Sequence, residues 1–274
     1  MKTFYKVNAI IAAAGLVIMI IGFATCSYSV NTISLDTVSY DETIEKDKWE
    51  NADTLKIDAG FADMTIERGD ELKLVAKDVP EKFKAHLNSN GSIVELKSDN
   101  MTTDLRKLIN KDNIGVNINF GVDGAGSYIL YVPDDFENVK IDFAFGNFNI
   151  ENLKADNAEI AVSFSDVELG TLEIKNNLSI ETSFGDTDIT TVSGDCDKFS
   201  LTSSFGDCDI ENVFITESAS ITNSFGDLSV QFVKNEYDIS SNTAFGNTSM
   251  SGNNSDGKVK VDITNSFGNT DINA

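Results

Sequence analysis

The 274 residues include 44 acidic against 21 basic side chains, a formal charge of −23, with one histidine, three cysteines and two prolines. A hydrophobic content of 41%, with 18 phenylalanines, supplies a core and excludes an acidic disordered chain. The charge excludes nucleic acid as a partner, because phosphate neutralisation needs clustered Lys and Arg and the arginines are only Arg68 and Arg106.

Lys2 and Lys6 precede an apolar run of 17 residues without a charge, Ala9–Thr25. That is the short end of a bilayer span, about 17–25 residues, and longer than the core of a cleaved signal, about 7–15. Basic residues before the run and Asp36, Asp41 and Glu42 after it orient the chain N-terminus inside. The expectation is a cytoplasmic stub and one transmembrane helix over 1–26, then a juxtamembrane linker over 27–50. The chain is then a single-pass protein of the cell membrane, its C-terminal bulk extracytoplasmic. A cleaved signal ending near Ala24-Thr25-Cys26, or lipidation at Cys26, are the alternatives, and both also place the bulk outside the cytoplasm.

Residues 51–135 read as a first coil followed by a β-rich N-terminal cap. The coil is Leu55–Ile66, around Phe61-Ala62-Asp63. Strand character follows at Leu72–Ala76, Ser92–Lys97, Ile114–Phe120 and Tyr128–Val132, with a short helix predicted over Met101–Asn110. His86 falls in a polar loop or strand edge and reads as a surface histidine.

Residues 136–274 are a repeat. Phe145, Phe164, Phe184, Phe205, Phe225, Phe245 and Phe267 recur at intervals of 19, 20, 21, 20, 20 and 22. All but Phe164 are followed by glycine: Gly146, Gly185, Gly206, Gly226, Gly246 and Gly268. Apolar residues alternate up to each Phe, as in Leu178 and Ile180 or Phe199 and Leu201, and return five and eight residues after it, as in Ile189 and Val192. Period-2 alternation up to the Phe is a β-strand with one face inward. Gly with Asp or Asn then supplies a turn, glycine taking positive φ freely. No unit of this size buries its own apolar face, so units stack. The predicted fold is all-β, a parallel β-solenoid of roughly 20-residue coils, with the phenylalanines as an interior ladder at one corner. Thr182, Ser203, Asn223, Thr243 and Asn265 form an inward polar column bonded between coils. An antiparallel β-sandwich would also give short strands, but would not place the same residue types at the same phase of every unit. Seven coils at the strand spacing make a rod of about 34 Å.

The run Leu55–Gly69 (LKIDAGFADMTIERG), Tyr131-Val132-Pro133 before the repeats and the Ser-Phe-Gly-Asp-x-Asp-Ile units resemble the LiaG-like putative-adhesin family of bacterial β-strand repeat proteins, a domain of unknown function, over roughly residues 50–274. The resemblance implies an envelope-exposed β-repeat protein with an N-terminal membrane segment and no catalytic residues to carry over.

Candidate chemistry is concentrated in acidic columns. Asp166, Asp186, Asp207 and Asp227 share one turn position, and Glu168, Asp188, Asp209 and Asp271 lie two residues on. Stacked carboxylates repel and raise one another's pKa unless a cation or donors neutralise them, so a Ca²⁺ site on the first column is the candidate metal reading. The alternative is that each Asp caps its own turn. No other cofactor is expected. Cys196 and Cys208 are either a disulfide or two packed thiols. Residues 141–274 contain 22 acids, six lysines and no arginine, which supplies a polysaccharide-processing enzyme poorly. The expected function is therefore non-catalytic: an adhesin-like binding or scaffold module at the cell envelope, for a basic envelope protein or cell-surface ligand. A polysaccharide-processing enzyme on the same scaffold and a passive spacer are the alternatives.

Overall fold

The structure, a computed structural model, describes residues 36–99, 126–234 and 236–274. Contacts divide the chain into two units, and every described residue falls in the one made of Leu35–Met101 and Phe120–Ala274. The predicted membrane segment, the helix at 101–110 and the strand at 114–120 lie outside the described residues. Among the described residues no helix is long and apolar enough to cross a membrane.

The N-terminal part comprises β1 (Thr37–Ile44), a single helical turn α1 (Lys46–Trp49), β2 (Thr54–Gly60), β3 (Asp63–Arg68), β4 (Leu72–Pro80), a 3-10 turn at Glu81–Phe83, β5 (Ala85–Asn90), β6 (Ile93–Ser98) and β7 (Ser127–Val132). The repeats comprise β8 (Asn138–Ala144), β9 (Phe148–Ser163), β10 (Val167–Ser183), β11 (Thr187–Ser204), β12 (Cys208–Asn223), β13 (Leu228–Phe232), β14 (Tyr237–Thr243), β15 (Thr248–Ser251), β16 (Val259–Asn265) and β17 (Thr270–Asn273). Strands β9 to β12 run 16–18 residues because each bends once, the ladder skipping residues near 174–177, and so serves both faces of the coil.

Coils stack in parallel and in register: Leu169 faces Ile150 on one side and Ile189 on the other, and Ile180 lies between Ile160 and Leu201. The solenoid expectation therefore holds, in a two-faced form. One sheet holds the strand before each Phe, the other the strand after it. Between them Val139, Ala158, Leu178, Phe199, Ala219 and Val261 meet Ile150, Leu169, Ile189, Ile210 and Val230, all buried. Burial of this continuous apolar layer supplies the main stabilisation.

The order of the coils departs from the order of the sequence at both ends. The β16–β17 coil sits between β12–β13 and β14–β15, and β14 pairs with β16 rather than β12. The composition accounts for this. Val259, Val261, Ile263 and Ile272 make an apolar coil fit for two neighbours, whereas the β14–β15 coil puts Ser241 where the others have Ile or Leu. The poorer coil goes outside. At the other end β2 and β3 lie under β6 and β7, so Leu55–Ile66 is the second rung and not the first. Antiparallel β1, β4 and β5 close that end, β4 pairing with β7 and β1, and β5 with β6. Val233 is exposed and its neighbour Phe232 takes the core place opposite Val213, a one-residue slip at the bend that periodicity alone did not show.

Candidate functional site

The phenylalanine column is not interior. Phe61, Phe145, Phe164, Phe184, Phe205 and Phe225 are half-buried at the outer corner where one sheet turns into the other. They stack ring on ring, with centroids 4.7–5.1 Å apart and planes within 4° from Phe145 to Phe225. Phe83 of the 3-10 turn covers Phe61 at the capped end, at 4.0 Å, and Phe267 and then Phe245 continue the stack at the other. The reason lies in the backbone. Phe61, Phe145, Phe164, Phe184 and Phe205 themselves take φ between 58° and 67°, which breaks the strand alternation at the corner, while Phe225, Phe245 and Phe267 join the same stack without a positive φ. The positive φ is unfavourable for a bulky residue and persists because the stack over-determines it.

Gly146, Gly185, Gly226 and Gly268 take the positive φ expected of them, and glycine has a second task beside it. A Cβ on Gly206 would stand 2.0 Å from the Gly185 carbonyl oxygen, and one on Gly246 1.8 Å from that of Gly268. The column is glycine because the backbone of each turn touches the turn beneath it. The same crowding holds at Gly146, Gly185, Gly226 and Gly268, which meet the carbonyls of Ala62, Ser165, Gly206 and Gly226.

Next to the aromatic stack runs the acidic one. Asp166 Oδ1 accepts the N–H of Asp186 at 3.1 Å, Asp186 that of Asp207 at 2.9 Å, and Asp207 that of Asp227 at 2.8 Å. Asp227 then accepts from Asn269, and Asn269 from Asn247. Each Asp therefore caps the turn of the next coil rather than its own. Backbone donors thus engage this column between coils, where the sequence reading had each Asp cap its own turn, and one oxygen of each candidate calcium ligand is already taken. Among the described residues there is no group of three or more His, Cys, Asp or Glu that could hold a metal ion.

The second acidic column has no such donors. Glu168, Asp188 and Asp209 are exposed and directly opposed on neighbouring coils, followed by Ser229 and then Asp271. Desolvation, then the charges of Asp209, Glu168, Asp186 and Asp166, push the Asp188 carboxyl above its ordinary value. Among the described residues the ion pairs lie elsewhere, as at Lys56–Glu95 and Lys140–Glu159, and none reaches this column. Sequence reasoning found this ladder through its phase, since i+2 from the turn is an outward position on the strand.

The polar column is inward as expected, but it bonds mostly within its own coil. Thr187 donates to Thr182 at 2.9 Å and Asn223 to the Gly226 carbonyl at 3.0 Å. Asn265 reaches across to that same carbonyl at 3.1 Å, and Thr243 meets Thr270 at 2.8 Å. Cys196 and Cys208 are free, buried thiols, pushed by burial to about 11 and about 12. His86 is half-exposed on β5 with Nδ1 2.8 Å from Glu42 Oε1, a partner that the sequence did not reveal.

Fold and surface together define a class: a capped two-sheet parallel β-solenoid with an aromatic and acidic corner. The chain belongs to the Toastrack DUF4097 family, whose model matches residues 30–274. The family resemblance drawn from Leu55–Gly69 and the Phe-Gly-Asp units is confirmed at that level. No curated protein matches. Among solved structures, the chain is similar to a putative adhesin from Bacteroides fragilis, at 12% identity over 87% of this chain and 98% of that one, TM-score 0.42. It is also similar to a putative lipid binding protein from Parabacteroides distasonis, at 14% identity over 87% and 98%, TM-score 0.43. A putative cell adhesion protein from Clostridium sporogenes is similar at 13% identity over 86% and 99%, TM-score 0.36.

Proposed function

We propose that this chain is a non-catalytic binding or scaffold module, anchored in the cell membrane by its N-terminal segment and displayed at the envelope, whose acidic face captures a basic protein partner. One observation carries the reading: Glu168, Asp188 and Asp209 stand in register and exposed, with no ion pair to a basic side chain among the described residues. A rigid row of carboxylates at the spacing of β-strands, about 4.8 Å, raises the local negative potential and attracts a ligand that brings its own positive charge. Anionic lipid surfaces are repelled by the same field. An enzyme of glycoside type would need two carboxylates in different environments, one kept protonated in an apolar pocket, and the three acids here share a solvated face. A passive spacer would show no binding that depends on this row.

The test is binding of an oligolysine peptide to the full chain in neutral detergent, against a Glu168→Gln, Asp188→Asn, Asp209→Asn variant. The wild type is expected to bind with a steep salt dependence and the variant about tenfold or more weakly, since exposed charge pairs act within a Debye length of about 8 Å. Equal binding by both proteins, at equal stability, removes the ladder from the function.

A further inference from the structure

At the end opposite the antiparallel cap, the solenoid is open. Strand β14 pairs with β16 and strand β15 with β17, and among the described residues no strand lies on their other side. The chain covers part of this edge itself. Asn253 accepts the Ile239 N–H at 2.9 Å and donates to its carbonyl at 3.4 Å, while the Asn254 N–H donates to the Tyr237 carbonyl. That leaves Ser240–Thr243 and Thr248–Ser251 uncovered, four residues on each side of the Phe245–Gly246 corner. At this corner Phe245 is 68% exposed, one face of its ring on Phe267 and the other bare, and Met250 beside it is 41% exposed.

The same coil is electrically neutral. Ile239–Ser255 is a run of 17 residues without a charged side chain, and no other uncharged run in the described residues exceeds nine. Its turn carries Asn247 where Asp186, Asp207 and Asp227 stand in the inner coils. A chain of charge −23 repels its own copy over the acidic remainder of its surface, but not here. Natural sheets blunt their exposed edges with Lys, Pro or a covering segment. The uncovered stretch has the backbone, the ring and the neutrality, and none of these protections.

We propose that this terminal coil is a self-association face through which two copies of the chain join tail to tail. The two-fold axis passes through the Phe245–Gly246 corner. Because β14 enters that corner and β15 leaves it, the axis lays Ser240–Thr243 antiparallel against Thr248–Ser251 of the partner subunit, four residues against four, twice over. The two bare Phe245 rings meet at the axis and join the two aromatic stacks into one. An isologous contact of this kind closes on itself, so the product is a dimer and not a fibre. Such a dimer presents two acidic ladders on one rod with its two capped ends facing away from each other.

The experiment is sedimentation equilibrium of the full chain in neutral detergent, from low micromolar to several hundred micromolar. The wild type is expected to follow a monomer–dimer equilibrium. Asn247→Asp places there the residue of the Phe184, Phe205 and Phe225 turns but sets two like charges beside the axis, and should weaken the dimer about tenfold in low salt, with recovery in high salt. Phe245→Ala should weaken it as well, while the far-ultraviolet spectrum stays that of the wild type. Hydrogen exchange of the Ser240–Ser251 amides should slow as the protein concentration rises. A chain that stays monomeric throughout overturns the proposal and leaves the edge to a strand of another protein. Association insensitive to both variants overturns it too, because the contact then lies elsewhere, and so does an open-ended polymer.

Discussion

At the residue scale, identity in the Phe-Gly-Asp signature is set by contacts between coils, not by the needs of one turn. Phenylalanine stacks, glycine leaves room for a carbonyl, and aspartate accepts the next coil's N–H. Asp207 accepts from Asp227 at 2.8 Å, in a turn where the Asn269–Asn247 pair shows that an amide oxygen can do the same work. Asp207→Asn should therefore leave the thermal midpoint nearly unchanged. Asp207→Ala removes the acceptor and should cost about 1–2 kcal/mol, the ordinary loss for an unmade bond to a charged group at a partly wet site. Urea unfolding of the two variants side by side decides it. Equal losses would mean that the carboxylate matters for its charge and not for the ladder.

At the element scale, the turn and its aromatic stack hold the two sheets at a common register. Phe205 is covered on both ring faces, by Phe184 at 4.8 Å and Phe225 at 4.7 Å, while its edge meets water. A fully interior phenylalanine would cost about 3–5 kcal/mol on truncation. The half-buried stack loses less, about 2–3 kcal/mol for Phe205→Ala, since only part of the ring's area leaves water and the stacking of aromatic neighbours adds about 1 kcal/mol. Relief of the positive φ, which alanine tolerates no better, does not offset this. Calorimetry of the variant checks the figure, and a loss of 4 kcal/mol or more would return the ring to the core.

At the scale of the whole molecule, the stack of coils keeps like charges in register at a cost in stability. The Asp188 carboxyl is raised by desolvation and by its four acidic neighbours. A folded-state pKa above the unfolded one means that the native state binds its proton more tightly. Its stabilising contribution is complete below the ordinary value of 3.8, and is lost as pH rises through the raised folded value. As pH falls through the raised folded value towards 3.8, Asp188 should therefore raise the melting midpoint, where carboxylates such as Glu95, held below their usual range by the hydrogen bond from Lys56, act in the opposite direction. Asp188→Asn should raise the midpoint at pH 7 and flatten the acid-side gain. An unchanged pH profile would mean that the ladder charges are screened from one another by solvent.

The sequence by itself determined the repeat, its parallel stacking and the phase of the strand columns, apart from the phenylalanines at the corner and Val233 at the bend. A spacing of about 20 residues with period-2 alternation admits few other ways to bury Ile160, Ile180, Leu201 and Ile221 together. It also marked the acidic ladder, because outward positions follow from the strand period. Only the tertiary structure decided that the phenylalanines line the outside. The alternation breaks at the corner, where the period no longer sets the side chain's direction. Only the tertiary structure decided the order of the last coils, because the 22-residue interval between Phe245 and Phe267 is long enough to lead the chain back beneath its own outer coil. Local pattern names the rungs of such a stack, and the competition among rungs for two buried neighbours decides which one is left at the end.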